Sequence, residues 1–164
     1  MAARSVRPGR PARQPTAAAP PARTAVTDIR YIESSALLAA LLEHDPAALN
    51  ALRTAGRQVT SALTLAEGAR AILRARASGR LSAAQEQAAV RGLQVFARRC
   101  FIIAVSDPVL ERAGRPFPVE PVRTLDALHL ASVELLGEAP QLVTIVTRDA
   151  RVRDNARALG YAVE

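Results

Sequence analysis

The feature that most constrains this chain is a regular alternation, from Asp28 onward, of short apolar strands with helix-period segments. "IRYI" (29–32) reads as a short buried strand, and "SSALLAALLEHD" as the helix that follows at once. "DPAALNALRTAG" supplies a second helix, with Pro46 near its start and Gly56 past its end. "RQVTSA" (57–62) is a strand, "TLAEGARAILRARASG" a helix closed by Gly79, and "SAAQEQAAVRGLQVFARR" a long amphipathic helix opened by Ser82. "CFIIAV" (100–105) is a strand, followed by a short helix and a loop marked by Pro116, Pro118 and Pro121. A helix over 124–137, the strand "LVTIVT" (142–147), a helix through Leu159 and a last strand "YAV" complete the pattern. Strands alternating with helices specify an α/β domain with a mainly parallel sheet.

Composition narrows the class. At 164 residues, 49% hydrophobic and 23% charged, the chain has the make-up of a soluble domain with a real core. Its longest apolar run, around 36–42, is far short of the ~20 residues of a membrane helix. No apolar leader is visible, and Cys100 is the single cysteine, which excludes an internal disulfide and cysteine-rich zinc clusters. A cytoplasmic setting is the expectation.

The net charge of +7 is concentrated at one end. Residues 1–25 form an Arg/Pro/Ala-rich stretch with almost nothing to bury, expected to be a disordered tail ahead of a domain spanning 26–164. Arg4, Arg7, Arg10, Arg13 and Arg23 lie in it, and without them seventeen arginines face fifteen acids, a net of +2. A domain-wide basic footprint for nucleic acid is therefore weak. Arg70 and Arg74, at i and i+4, read as a solvated helix face.

The segment "RTLDALHLAS" (123–132) carries the most informative residue. As a helix, its apolar arc gathers Leu125, Leu128, Leu130, Val133, Leu135 and Leu136, and Asp126 falls among them. A carboxylate facing a core is costly unless it is paired or coordinates something. Three more acids fall where a parallel sheet presents its ligand-binding edge. Glu33 directly follows the first strand, Glu67 lies early in the helix after the second, and Asp149 comes two residues after the fourth. Each has a structural alternative. Thr64 and Glu67 can form a capping box, Thr124 can cap the helix of Asp126, Asp149 can cap the helix from Ala150, and Glu33 can sit solvated at a strand end.

"YIESSALLAALL", "VTSALTLAEGARAI", "PVRTLDALHLASVELLG" and "IVTRDARVRDNARALGYAV", in this order over about residues 29–163, resemble the successive signatures of PIN-domain ribonucleases, most closely the VapC-type toxins of toxin–antitoxin pairs. The resemblance implies a three-layer, PIN-like sandwich with helices on both faces of the sheet. It places the family's acidic cluster on Glu33, Glu67, Asp126 and Asp149, with supporting hydroxyls at Ser35 and Thr147. It implies Mg²⁺, with Mn²⁺ as the other candidate, because crowded carboxylates repel and hard divalent cations prefer oxygen ligands. It further implies hydrolysis of an RNA substrate by a metal-activated water, leaving a 5′-phosphate and a 3′-hydroxyl. A cognate antitoxin covering the apolar helices near 36–55 and a homodimer are the implied partners.

One residue departs from the family pattern: Glu33 stands where Asp is usual. The extra methylene shifts a ligand by about a bond length, and Mg²⁺ tolerates poor geometry badly. A weakly active or non-catalytic PIN-like module that binds RNA or protein is therefore the rival reading. Asp126, His129 and Ser132 have the residue types of a hydrolase triad, but one helix turn cannot supply its geometry. His129 reads as a helix-face residue and His44 as a surface one. Aromatics make up 3% of the chain, which argues against recognition by base stacking.

Overall fold

The structure, a computed structural model, describes residues 28–164. The expected N-terminal tail, 1–25, lies outside the described residues. The strands are β1 (Ile29–Ile32), β2 (Arg57–Ser61), β3 (Phe101–Ile103), β4 (Val143–Val146) and β5 (Ala162–Val163). The helices are α1 (Ser34–Leu42), α2 (Pro46–Ala51), α3 (Ala62–Ala77), α4 (Ala83–Arg99), α5 (Asp107–Ala113), α6 (Thr124–Glu134) and α7 (Ala150–Ala158).

All five strands are parallel, in the order β3-β2-β1-β4-β5. The period-2 pleat of β1 divides the core. Ile29 and Tyr31 face a cluster with Val109 of α5, Leu130 and Val133 of α6, and Val152 and Ala156 of α7. Ile32 faces the opposite cluster, with Leu37 of α1, Ala51 of α2 and Phe96 of α4. The chain is thus the three-layer α/β sandwich that the sequence pattern and the family resemblance imply.

Several boundaries differ from the sequence expectation. The 100–105 strand shrinks to three residues at the sheet edge, where Phe101 and Ile102 are 52% and 40% exposed. The first helix stops at Leu42, because His44 takes a positive φ of 53° and Asp45 caps α2. The 124–137 helix ends at Glu134, and its apolar arc is narrower than the sequence suggests: Leu125 and Leu135 are 45% and 47% exposed.

Two devices fix the sheet edge that matters. The chain leaves β1 for β2 on one side and later returns to β4 on the other, so β1 and β4 form the switch point where parallel sheets bind ligands. The proline loop before α6 is held by Asn155, whose Oδ1 accepts from the Val119 amide (2.9 Å) and whose Nδ2 donates to the Val119 carbonyl (2.8 Å). Glu120 adds acceptors for the Phe117 and Val122 amides. The first turn of α6 is thereby set over the switch point. Among the described residues, no helix is long and apolar enough to cross a membrane.

Candidate active site

Glu33 begins the site because β1 ends one residue before it. It is the N-cap of α1, with extended backbone, and its Oε2 accepts from the Ser35 amide at 3.0 Å. The Ser35 hydroxyl and the Thr147 hydroxyl (2.9 Å) donate to the same oxygen, and Ser34 Oγ donates to Oε1 at 2.5 Å. At 4% exposure this carboxylate is buried, so the solvated alternative is overturned. Burial of a charge is tolerable here because so many donors face it.

Thr147 follows β4 and ties the two strand ends together. Its hydroxyl also accepts from the Asp149 amide at 3.0 Å, while Ser35 Oγ accepts from the Arg148 amide at 2.8 Å. Both expected hydroxyl positions therefore touch the first acid and the last acidic segment. Asp149 caps α7 as expected: its Oδ1 accepts from the Arg151 (2.7 Å) and Val152 (3.2 Å) amides.

Glu67 is not part of a capping box. Ser61 is the N-cap of α3, its hydroxyl accepting from the Leu63 amide at 3.2 Å, which places Thr64 and Glu67 inside the helix. Freed from the cap, Glu67 reaches His129, with Oε2 2.8 Å from Nε2. Burial alone would raise this carboxyl, but hydrogen bonds from His129 and Ser34 hold it below the usual carboxylate range.

Asp126 lies in the first turn of α6, whose N-cap is Arg123 rather than Thr124. Its Oδ2 is buried without a hydrogen-bond partner. Burial, and then the negative charges of Asp149 and Glu33, push its pKa up, against a smaller opposing pull from Arg123 and Arg151. That mutual repulsion is the electrostatic signature of converging acids. Glu33, Glu67, Asp126 and Asp149 together line a single cavity of about 310 Å³, rimmed by Ser34, Ser35 and Arg123.

His129 reads in the sequence as a helix-face residue, but the structure places it inside the site. It is 1% exposed, with Nδ1 2.9 Å from the Tyr31 hydroxyl and Nε2 between Glu67 and Glu33 Oε1 (3.6 Å). One donor atom each from Glu33, Glu67 and His129 lie within 4.8 Å of one another, a spacing able to hold a metal ion. The only available sequence signal was spacing, since His129 sits three residues after Asp126 on the same helix side. His44 is exposed, as expected.

A mostly carboxylate donor set around a partnerless buried oxygen fits a hard divalent cation. The fit is poorest at Glu33, whose Oε2 already takes three donors.

Comparison with known proteins agrees with this architecture. A family model described as PIN domain matches residues 30–158. Ribonuclease VapC46 of Mycobacterium tuberculosis is 39% identical over 135 residues, covering 81% of this chain and 94% of the relative. The solved structure of VapC20 from Mycobacterium tuberculosis, described as a sarcin–ricin loop cleaving toxin, superposes with a TM-score of 0.57 at 16% identity, covering 81% of this chain and 96% of that one. VapBC-5 from the same organism, described as a member of the VapBC family of toxin–antitoxin systems, gives 0.51 at 20% identity, covering 84% and 96%. The last two likenesses establish shared fold. The chain belongs to the PIN-domain family and, within it, to the VapC type.

Proposed function

We propose that this protein is a divalent-metal-dependent endoribonuclease, the toxin of a toxin–antitoxin pair, with Glu33, Glu67, Asp126 and Asp149 as its acidic centre. The observation that carries this reading is the convergence of four carboxylates from four elements on one cavity, with Asp126 Oδ2 left buried and unpartnered. The names of the curated VapC relatives as ribonucleases support it. Asp126, Asp149 and Glu67 are the residues with oxygens suited to hold Mg²⁺ or Mn²⁺, and Glu33 closes the set. A bound cation would supply charge to neutralise the phosphodiester and would lower the pKa of its water.

The chain's own groups divide the remaining work. Ser35 and Thr147 lock Glu33 and align β4 with β1, and the α7 amides fix Asp149 Oδ1. Arg123 and Arg151, both exposed beside the acids, are placed to attract the RNA backbone into an otherwise repulsive cavity. A partner antitoxin fits the apolar groove between α1, α2 and α4, lined by Leu37, Leu41, Leu49, Leu52 and Phe96 with Arg53 and Arg99 at its rim.

The donor-saturated Glu33 supports a second reading, a weakly active or non-catalytic module that binds RNA or protein. Incubation of the purified protein with total RNA in Mg²⁺ and in Mn²⁺ separates the two. Cleavage abolished by EDTA and by Asp126→Asn in a folded variant is the expected result. No cleavage with either metal, after removal of any bound antitoxin, would leave the binding module as the function. Recovery of cleavage in Glu33→Asp would then identify the extra methylene as the cause.

A further inference from the structure

We propose that His129 is a positioning residue of the acidic centre: its Nε2–H donates to Glu67 Oε2, and the Tyr31 hydroxyl fixes that tautomer by donating to Nδ1. The inference rests on the reading of Glu67 as part of that centre, but its core is a statement about where one proton sits.

The geometry leaves few choices. Nε2 is 2.8 Å from Glu67 Oε2, and Nδ1 is 2.9 Å from the Tyr31 oxygen. Both His129 and Tyr31 are essentially sealed from solvent, at 1% and 0% exposure, so neither can turn to water for a partner. An ionised carboxylate can only accept, so the proton between Glu67 and His129 belongs on nitrogen. A neutral imidazole that donates from Nε2 must accept at Nδ1. The Tyr31 hydroxyl carries a proton and stands at hydrogen-bond distance, so it is the donor that Nδ1 meets.

This relay has a structural consequence. Tyr31 projects from β1, His129 from α6 and Glu67 from α3, which come from opposite layers of the sandwich. Two hydrogen bonds through the imidazole therefore register the α3 acid against the central strand. They commit Oε2 of Glu67 and leave Oε1 to serve the cavity. Hydrogen-bond partners behind metal ligands orient them in this way, and losing one typically costs 10–100-fold in metal affinity or activity. The competing role is direct ligation through Nε2, which the spacing of Glu33, Glu67 and His129 also permits. Ligation requires a bare Nε2 and a proton on Nδ1, so the two roles predict opposite tautomers.

The deciding experiment is nitrogen-15 NMR of the full chain labelled at histidine, in EDTA. Only His44 and His129 contribute signals, and His44→Gln assigns them. The expected result is a protonated Nε2 and a bare Nδ1 at His129, with the Nε2 signal moved by Glu67→Gln and the Nδ1 signal by Tyr31→Phe. A bare Nε2 would overturn the proposal. As a second readout, Mn²⁺ affinity measured by titration is expected to fall about tenfold in His129→Leu and to recover in His129→Gln, whose amide can still donate. The loss is expected to vanish in a Glu67→Gln background, and full additivity of the two substitutions would count against the relay. Failure of the nuclease reading is distinct: it would appear as no Mn²⁺ binding and no RNA cleavage by the wild type, whatever tautomer His129 holds.

Discussion

At the scale of the residue, the site is a cluster of charges whose mutual cost is visible in Asp126. Its carboxyl is pushed up by burial first and by Asp149 and Glu33 next, so the folded state binds its proton more readily than the unfolded chain does. Above the folded pKa, folding therefore confines an unfavourable charge. As the pH falls through that raised value toward the unfolded one, the proton is taken up and the penalty disappears. Asp126→Asn, which abolishes cleavage under the proposed function, is accordingly expected to raise Tm at pH 7 in EDTA. The shift should be about 2–4 °C for each kcal/mol of repulsion relieved. The gain should shrink as the pH approaches 4, and thermal melts of both proteins across that range would check it. A variant less stable than wild type at pH 7 would mean that Asp126 makes favourable contacts the structure does not contain. Glu33, Asp126 and Asp149 were legible in the sequence because each stands at a strand end or a helix start, whereas Glu67 lies inside α3. His129 was not legible. A helical wheel gives the side from which a residue projects, but the carboxylate it meets comes from a helix some 60 residues away, and no local pattern encodes that.

At the scale of the element, the sequence carried most of the α/β alternation but misplaced the start of α3. Thr64 and Ser61 are both competent caps, and the choice between them depends on how far β2 runs. Its pairing with β3 continues to Ser61 against Ile103, so the helix opens immediately after Ser61 and Glu67 is released toward His129. The run "CFIIAV" gave no sign of an edge, since apolar content alone does not say whether a neighbour covers a strand. Ser82 is the opposite case, legible because the loop before it isolates the signal. Its hydroxyl accepts from the Gln85 amide at 3.3 Å and the Gln85 side chain accepts from the Ser82 amide at 2.8 Å, a complete capping box on the longest helix. Ser82→Ala is expected to cost about 1 kcal/mol, which lowers Tm by about 2–4 °C in a domain of this size. Because α4 lies across the sheet from α6, metal binding should be unaffected, and the loss of stability should be the same with and without the metal. Denaturant melts with and without Mn²⁺ would test both halves of that expectation.

At the scale of the whole molecule, the strand order β3-β2-β1-β4-β5 makes a site from residues that are far apart in sequence. Glu33 and Thr147 meet only because β1 and β4 are neighbours, and the end of the chain reinforces that pairing. Glu164 bonds the Thr147 amide through its carbonyl at 3.0 Å, and its side chain pairs at 2.6 Å with Arg30, which is 7% exposed. A fold built in this way gathers like charges on one edge, and that is tolerable only if the cluster gains more in the working state than it loses in the metal-free one. A divalent cation that binds the folded cluster and not the unfolded chain must stabilise the whole domain by mass action. At a hundred times its dissociation constant the gain is about 2.7 kcal/mol, which at about 2–4 °C per kcal/mol raises Tm by roughly 5–10 °C. Calorimetry of the metal-free protein with increasing Mn²⁺ or Mg²⁺ should show that rise, saturating at millimolar metal. It should be much reduced in Asp126→Asn, because the unpartnered Oδ2 is then replaced by a neutral amide. Ca²⁺, larger and content with irregular oxygen sites, is the informative control. If it stabilises as strongly as Mn²⁺, the acids form a general cation sink, and the metal-dependent nuclease loses its structural rationale.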